Sequence, residues 1–181
     1  PSPRLAENNL LHLLDGAGAK ALDKISGAEL PNLFRLLGSS AFLGEVLIGQ
    51  GKNWPELFLR QIKTKQKSIA QHAKELDSLI HHATSFDDFC AALRHHKQRE
   101  YLRIGARDLL APVTMEETVR ELTALADASL DAAYRFGRAE VEKDYGVLNL
   151  PGTDKPNRFV VLGMGKLGGG ELNFSSDVDV I

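Results

Sequence analysis

Apolar residues recur at three- and four-residue spacing through residues 4–145, which restricts this part of the chain to amphipathic helices. The clearest stripe comprises Val119, Leu122, Leu125, Ala126, Leu130, Ala133, Tyr134 and Val141. Thr114 and Glu117 have the spacing of a capping box, which predicts where this helix begins, and Gly146 predicts where it ends. We therefore predict a mainly α-helical region over residues 1–150.

Two further helices are predicted upstream of this one. Ser85 precedes a second set of apolar residues with helical spacing, namely Phe86, Phe89, Cys90, Leu93, Tyr101 and Ile104. Pro55 suits the first turn of another helix, because the N–H that proline lacks would be unpaired there. The apolar face of that helix would comprise Leu57, Phe58, Ile62, Ile69, Leu76 and Ile80. Shorter helices would fill the region before Asn53.

The composition is that of a globular protein without bulk affinity for nucleic acid. The chain has 181 residues, 43% hydrophobic and 25% charged, with a net charge of −2. A single cysteine, Cys90, excludes an intrachain disulfide and favours a reducing, cytoplasmic compartment. No apolar run approaches the roughly 18–20 residues that a membrane span needs. The chain starts with Pro1, and no basic segment leads into an apolar one, so we expect a processed or trimmed chain without a signal peptide.

Arginines follow one face of the predicted second helix, since Arg99, Arg103 and Arg107 are four residues apart. Such a row could meet phosphate or an acidic partner. More often such a row is a solvated face with local ion pairs, here with Glu100 or Asp108. We predict a solvated face of this kind.

The last thirty residues have a different pattern. Residues 149–157 are rich in turn-forming residues and predict a boundary, so that residues 151–181 would begin a second domain. Residues 158–162 form a short apolar run bounded by Pro156 and Gly163, which predicts a buried strand.

A glycine-rich loop follows this run. Five of the sixteen glycines fall within residues 163–170, and such a loop exposes backbone N–H groups to a ligand. Lys166 adds a positive charge, so the loop suits phosphate oxygens; a tight strand-to-helix corner without a ligand is the alternative. The residues that would contact phosphate are Gly163, Gly165, Lys166, Gly168 and Gly169.

Two aspartates follow the loop. In an extended segment, Asp177 and Asp179 would share one face, about 6–7 Å apart, and would repel each other without a cation. Their hard oxygen ligands suit Mg²⁺ or Mn²⁺, although a solvent-facing acidic strand is a common alternative. The order of strand, glycine loop and acidic pair favours metal-assisted nucleotidyl or phosphoryl transfer.

The loop also fits the dinucleotide-binding pattern G-x-G-x-x-G over residues 163–168. That fold needs a long helix directly after the loop, and Gly169, Gly170 and Asn173 leave room for one or two turns. The ribose-binding acid expected about twenty residues further on would lie beyond Ile181. Dinucleotide binding is therefore the less favoured alternative.

The segment Gly163-Met-Gly-Lys-Leu-Gly-Gly-Gly-Glu-Leu-Asn-Phe-Ser-Ser-Asp-Val-Asp-Val-Ile181 resembles the active-site signature of the bifunctional glutamine synthetase adenylyltransferase/adenylyl-removing enzymes. These enzymes are polymerase-β-like nucleotidyltransferases. Residues 99–110 and 116–122 also resemble the helices before that signature. The resemblance, which runs from about residue 94 to the end, implies a helical region followed by the first strands of an α+β polymerase-β-like core, here truncated.

The form Gly-Gly-Gly-Glu-Leu-Asn-Phe-Ser-Ser-Asp resembles the N-terminal, adenylyl-removing half of that family. The resemblance implies that phosphate attacks the AMP–tyrosine linkage on glutamine synthetase and releases ADP. It also implies that Asp177 and Asp179 are catalytic metal ligands, that Ser175 and Ser176 flank them, and that the loop lies near ADP, ATP or phosphate. A P-II-type nitrogen-signalling protein would be a further partner.

This chain stops two residues after Asp179, whereas the resemblance implies further strands and a third acidic ligand. We therefore expect a fragment that holds Mg²⁺ weakly and is inactive alone. An alternative function remains, in which the helical region serves as a docking module for glutamine synthetase or a nitrogen-signalling protein.

Overall fold

The computed structural model describes residues 1–17, 19–61 and 65–181. Within these residues the chain forms α-helices joined by short connections. Their bounds are α1 Pro3–Ala17, α2 Leu30–Ser39, α3 Ala41–Ile48, α4 Trp54–Gln61, α5 Ile69–His82, α6 Phe86–Leu110, α7 Met115–Tyr145 and α8 Gly165–Gly168. Short 3₁₀ turns occupy Ala19–Lys24 and Gly51–Asn53. None of the described helices combines the length and apolar character that a membrane crossing requires.

Local signals place the ends of the long helices as predicted. The Thr114 hydroxyl accepts a hydrogen bond from the Glu117 N–H at 3.2 Å, and the Glu117 carboxylate accepts one from the Thr114 N–H at 2.8 Å. This capping box begins α7, and Gly146, with a φ of +73°, ends it. Pro55 lies in the first turn of α4. These predictions are confirmed.

The single helix predicted from Pro55 onwards is wrong, because the structure has two. Helix α4 ends at Gln61 and α5 begins at Ile69. Ser68 begins α5 with its own capping box: its hydroxyl accepts from the Gln71 N–H at 3.3 Å, and the Gln71 side chain accepts from the Ser68 N–H at 2.8 Å. Ile62, assigned to the same helix, lies outside the described residues.

The chain divides into two compact units. Unit 1 comprises Pro1–Gln66 and His95–Thr118. Its core is built by α1 to α4 together with the second half of α6. The residues at its centre, each almost fully buried, include Leu13, Leu33, Leu36, Leu37, Leu47, Trp54, Phe58 and Leu102.

The arginine row of α6 is only partly solvated. The Arg103 side chain is 1% exposed, and its Nε donates to the Glu100 carboxylate at 2.8 Å. Arg103 also donates to the Lys65 carbonyl oxygen at 3.2 Å. The predicted pairing with Glu100 is therefore confirmed, but the predicted solvated face is wrong at Arg103, because tertiary packing covers this turn of the helix.

Unit 2 comprises Lys67–Arg94 and Val119–Ile181. Its core contains Leu76, Phe89, Ala128, Ala132 and Phe136. The rings of Phe89 and Phe136 stack with centroids 4.2 Å apart. Alanines on α7 let the α5 and α6 side chains approach this helix closely, which forms a small, dense core.

The predicted first strands of a polymerase-β-like core are wrong, because the described residues contain no strand. The run that was predicted to be buried is exposed: Phe159 is 69% and Val160 66% accessible. A strand needs a hydrogen-bonded neighbour along its length. In residues 158–164, antiparallel pairing is limited to the bridge between Gly163 and Val180 and the hydrogen bonds beside it. The Phe159 ring instead packs on Tyr134 of α7.

Candidate nucleotide and metal site

Main-chain hydrogen bonds join residues 162–164 to residues 179–181. The Leu162 N–H donates to the Ile181 carbonyl oxygen at 2.8 Å, and the Ile181 N–H donates to the Leu162 carbonyl oxygen at 3.0 Å. The Met164 N–H donates to the Asp179 carbonyl oxygen at 2.8 Å. This antiparallel contact brings the glycine loop beside the acidic residues.

The loop itself is compact and depends on glycine at specific positions. Residues 165–168 form the single turn of α8, which begins at Gly165 with a φ of +51°. A Cβ on Gly168 would lie 2.4 Å from the carbonyl oxygen of Gly163, so the two backbone segments approach too closely there for a side chain. Gly170 has a φ of +70° and reverses the chain after the helix.

Two leucines in and just after this loop are buried, and the second lies at a hydrogen bond to α7. Leu167 is 6% and Leu172 is 4% exposed, although most of their neighbours in sequence are exposed. The Leu172 N–H donates to the Thr123 hydroxyl on α7 at 3.4 Å, and that hydroxyl donates to the Val119 carbonyl oxygen at 2.9 Å. Sequence analysis missed both Thr123 and Leu172, because the contact joins residues far apart in the chain.

Asp179 lies beside the loop. Its Oδ2 is 4.0 Å from the position of a Cβ on Gly165. Asp177 and Lys166 are exposed, as is Asp179. In the described part of the chain, neither carboxylate has an ion-pair partner. Hard carboxylate oxygens that are accessible and uncompensated are suitable ligands for Mg²⁺ or Mn²⁺.

The two predicted serines belong to a turn that precedes the aspartates. The Asn173 side-chain oxygen accepts from the Ser175 N–H and from the Ser176 hydroxyl, each at 3.0 Å. The Asn173 N–H donates to the Ser176 hydroxyl oxygen at 3.1 Å. Asn173 was not predicted, although an asparagine two residues before a serine is typical of an Asx turn. This turn directs the chain into the acidic segment.

Comparison with known proteins connects this geometry to a family. The family model described as glutamate-ammonia ligase adenylyltransferase matches residues 30–181.

The chain belongs to the glutamate-ammonia ligase adenylyltransferase family.

The matched residues include helices α2 to α8, the glycine loop, Asp177 and Asp179. The resemblance predicted from residues 94–181 is therefore confirmed and extends much further towards the N-terminus.

Several curated relatives are bifunctional glutamine synthetase adenylyltransferase/adenylyl-removing enzymes. The relative from Thioalkalivibrio sulfidiphilus is 33% identical over 99% of this chain, and that from Pseudomonas aeruginosa is 32% identical over 93%. The relative from Shewanella woodyi is 32% identical over 90% of the chain. The chain spans 16% to 19% of the length of these three relatives. No solved structure matches it significantly.

Proposed function

We propose that this chain acts in the control of glutamine synthetase by reversible adenylylation, and that its C-terminal segment binds the phosphates and metal ion of an adenylyl-removing site. The observation that carries this proposal is the position of Asp179 beside the glycine loop, where Oδ2 is 4.0 Å from a Cβ built on Gly165. Membership of the family and the names of the relatives support it.

The proposed reaction is phosphorolysis. An oxygen of inorganic phosphate forms a bond to the adenylyl phosphorus, the bond from that phosphorus to the tyrosyl oxygen of glutamine synthetase breaks, and the tyrosyl oxygen takes a proton. The products are ADP and unmodified glutamine synthetase. The residues of this chain bind and align the phosphates for in-line attack.

Each predicted site residue has a role in this proposal. Asp177 and Asp179 would hold a divalent cation, Mg²⁺ or Mn²⁺, which when bound neutralises phosphate charge. Backbone N–H groups of the loop would contact phosphate oxygens, at Gly163, Gly165, Lys166, Gly168 and Gly169. The Lys166 ammonium would bind the same group. Ser175 and Ser176 position the aspartates through the Asn173 turn. Neither aspartate serves as a general acid or base.

The remaining expectations stay predictions. They are ADP or ATP as bound nucleotide, a P-II-type signalling protein as a partner, a cytoplasmic location, and the boundary at residue 150. The alternative, in which the helices mainly dock glutamine synthetase, is separable from the metal site. A chain with both Asp177→Asn and Asp179→Asn would bind glutamine synthetase unchanged if docking is independent of the metal.

A chimera tests the proposal directly. The aligned segment of the Thioalkalivibrio sulfidiphilus relative is replaced by this chain, and phosphate-dependent release of ADP from adenylylated glutamine synthetase is measured. Asp177→Asn and Asp179→Asn should each lower the rate by about 100-fold. Asp154→Asn, an exposed aspartate in the connection before the loop, is the matched control and should leave the rate unchanged.

A direct binding measurement complements the rate. Manganese bound to the chain alone is measured by electron paramagnetic resonance. Asp177→Asn and Asp179→Asn should each weaken the bound signal, whereas Asp154→Asn should not. Full ADP release by the two aspartate variants would overturn the metal-ligand roles, and addition of AMP without its phosphate-dependent removal would overturn the assignment to the removing reaction.

A further inference from the structure

A cavity in unit 2 lies along the last turns of α7, and its lining is separate from the proposed site. Its volume is about 430 Å³, and we call it the α7 groove. Its lining includes Tyr134, Gly137, Val141, Leu148, Arg158 and Phe159. None of these residues belongs to the glycine loop or the acidic segment. A volume of this size is typical of small-molecule sites.

The chain builds the groove by folding back on α7. Gly146, at a φ of +73°, reverses the chain directly after the helix. A hairpin follows, held by the Asn157 N–H, which donates to the Leu148 carbonyl oxygen at 2.8 Å, and by the bridge of Asn149 to Pro156. The hairpin returns the Phe159 ring to α7, where it stacks on Tyr134 at 5.7 Å and 18°. One wall of the groove is therefore aromatic.

A glycine of α7, Gly137, is among the residues that line the groove. Gly137 lies within the helix, where glycine is less favourable than alanine. Apart from the adjoining helix backbone and the two neighbouring residues, no atom lies within 4 Å of a Cβ built at this position. Packing therefore does not require glycine. Since Gly137 also lines the groove, we infer that a large side chain at this position would occupy part of the groove.

The rim of the groove carries more positive than negative charge. Arg138 is paired, since its Nε donates to Glu142 at 2.6 Å and its Nη1 donates to the Tyr134 hydroxyl at 3.2 Å. Arg158 is exposed and has no ion-pair partner among the described residues. Two guanidinium groups and one carboxylate leave one positive charge without compensation. A ligand of complementary charge is an anion.

We propose that the α7 groove binds a small organic anion with an aromatic body. The aromatic body packs against Tyr134, Phe159 and the apolar wall of Val141 and Leu148, and the anionic group accepts hydrogen bonds from Arg158. This inference does not depend on the adenylyl-removing function, because it uses no residue of that site.

Fluorescence titrations of the whole chain with two naphthyl probes test the proposal. One is 1-anilinonaphthalene-8-sulfonate, which is anionic, and the other is N-phenyl-1-naphthylamine, its neutral analogue. Gly137→Leu should occupy part of the groove and remove saturable binding of both probes. Ala139→Leu adds the same side chain to an exposed position of α7 outside the groove and should leave both affinities unchanged.

A second pair of variants tests the charge and leaves Gly137 and the shape of the groove unchanged. Arg158→Gln should weaken the sulfonate probe about fivefold and the neutral probe hardly at all. Arg120→Gln, which changes another exposed arginine of unit 2, is its control. Circular dichroism checks that each variant is folded. Equal binding of the sulfonate probe by wild type, Gly137→Leu and Arg158→Gln would overturn the proposal, as would equal loss with Ala139→Leu or Arg120→Gln.

Discussion

The backbone N–H of Met164 donates a hydrogen bond of 2.8 Å to the carbonyl oxygen of Asp179. The glycine loop and the acidic segment are thus joined through main-chain atoms. The carboxylate of Asp179 takes no part in this contact and stays exposed. Substitution of the carboxylate by an amide therefore leaves the pairing intact, which makes Asp179→Asn a test of chemistry rather than of folding.

Gly168→Ala should destabilise the protein, because its Cβ would lie 2.4 Å from the Gly163 carbonyl oxygen and the backbone would have to move. We expect a loss of about 1–3 kcal/mol in the free energy of unfolding, measured in urea. Gly169→Ala is the matched control, since its nearest contact would be an ordinary 3.4 Å and its φ is −80°. Equal losses for both variants would contradict the close approach of the Gly163 carbonyl to residue 168 as the cause.

Glu100→Gln should also destabilise the protein, because it removes the charge that faces the buried Arg103 guanidinium. We expect a loss of about 1–3 kcal/mol in the free energy of unfolding. Glu140→Gln removes one partner of the surface pair with Lys143 and should cost less than about 1 kcal/mol. Urea unfolding of both variants measures the difference, and a neutral Glu100→Gln would show that the buried charge is compensated elsewhere.

The pKa of Asp88 is lowered from 3.8 by a hydrogen bond from the Thr84 hydroxyl and, secondarily, from that of Ser85. Since the carboxylate is favoured in the folded state, its contribution to stability is complete above the unfolded pKa and is lost as pH falls through the folded pKa. Thr84→Ala should raise the pKa of Asp88 towards 3.8, as measured by NMR titration of the side-chain carbon. Thr153→Ala, in the distant hairpin, should not change it.

Gly137→Ala should stabilise the protein by about 0.5–1 kcal/mol, because alanine favours the helix and the space at this position is open. Gly105→Ala, in the interior of α6, is the informative comparison. Its Cβ would lie 2.7 Å from Cδ1 of the buried Leu43, so the helical gain is offset by overlap and we expect a net loss. Thermal unfolding of the two variants should move in opposite directions.

Helix ends were predictable because their signals are local. Thr114, Glu117 and Gly146 fix the limits of α7 through contacts within a few residues. The break before α5 carried a similar signal in Ser68 and Gln71, and sequence analysis missed it because the apolar spacing continues across the gap. In each case the information lies in neighbouring residues.

Features that depend on distant contacts were not predictable in the same way. Residues 158–162 have strand-forming side chains, but the stacking of Phe159 on Tyr134 and the short pairing at Gly163 leave them exposed. The burial of Arg103 likewise depends on tertiary packing. Within the candidate site, the sequence predicted that the glycine loop and the aspartates belong to one site, whereas the proximity of Asp179 to Gly165 and the hydrogen bond from Leu172 to Thr123 required the folded chain.

Two glycines of unit 2 should be retained at different frequencies when a library of random variants is selected for soluble protein. Gly168 lies against the Gly163 carbonyl oxygen and has no room for a Cβ, so variants selected for solubility alone should retain it. Gly137 faces empty space, and the same selection should replace it with helix-favouring residues. If Gly137 is nevertheless retained under selection in living cells, the reason is a function of this position and not the stability of the fold.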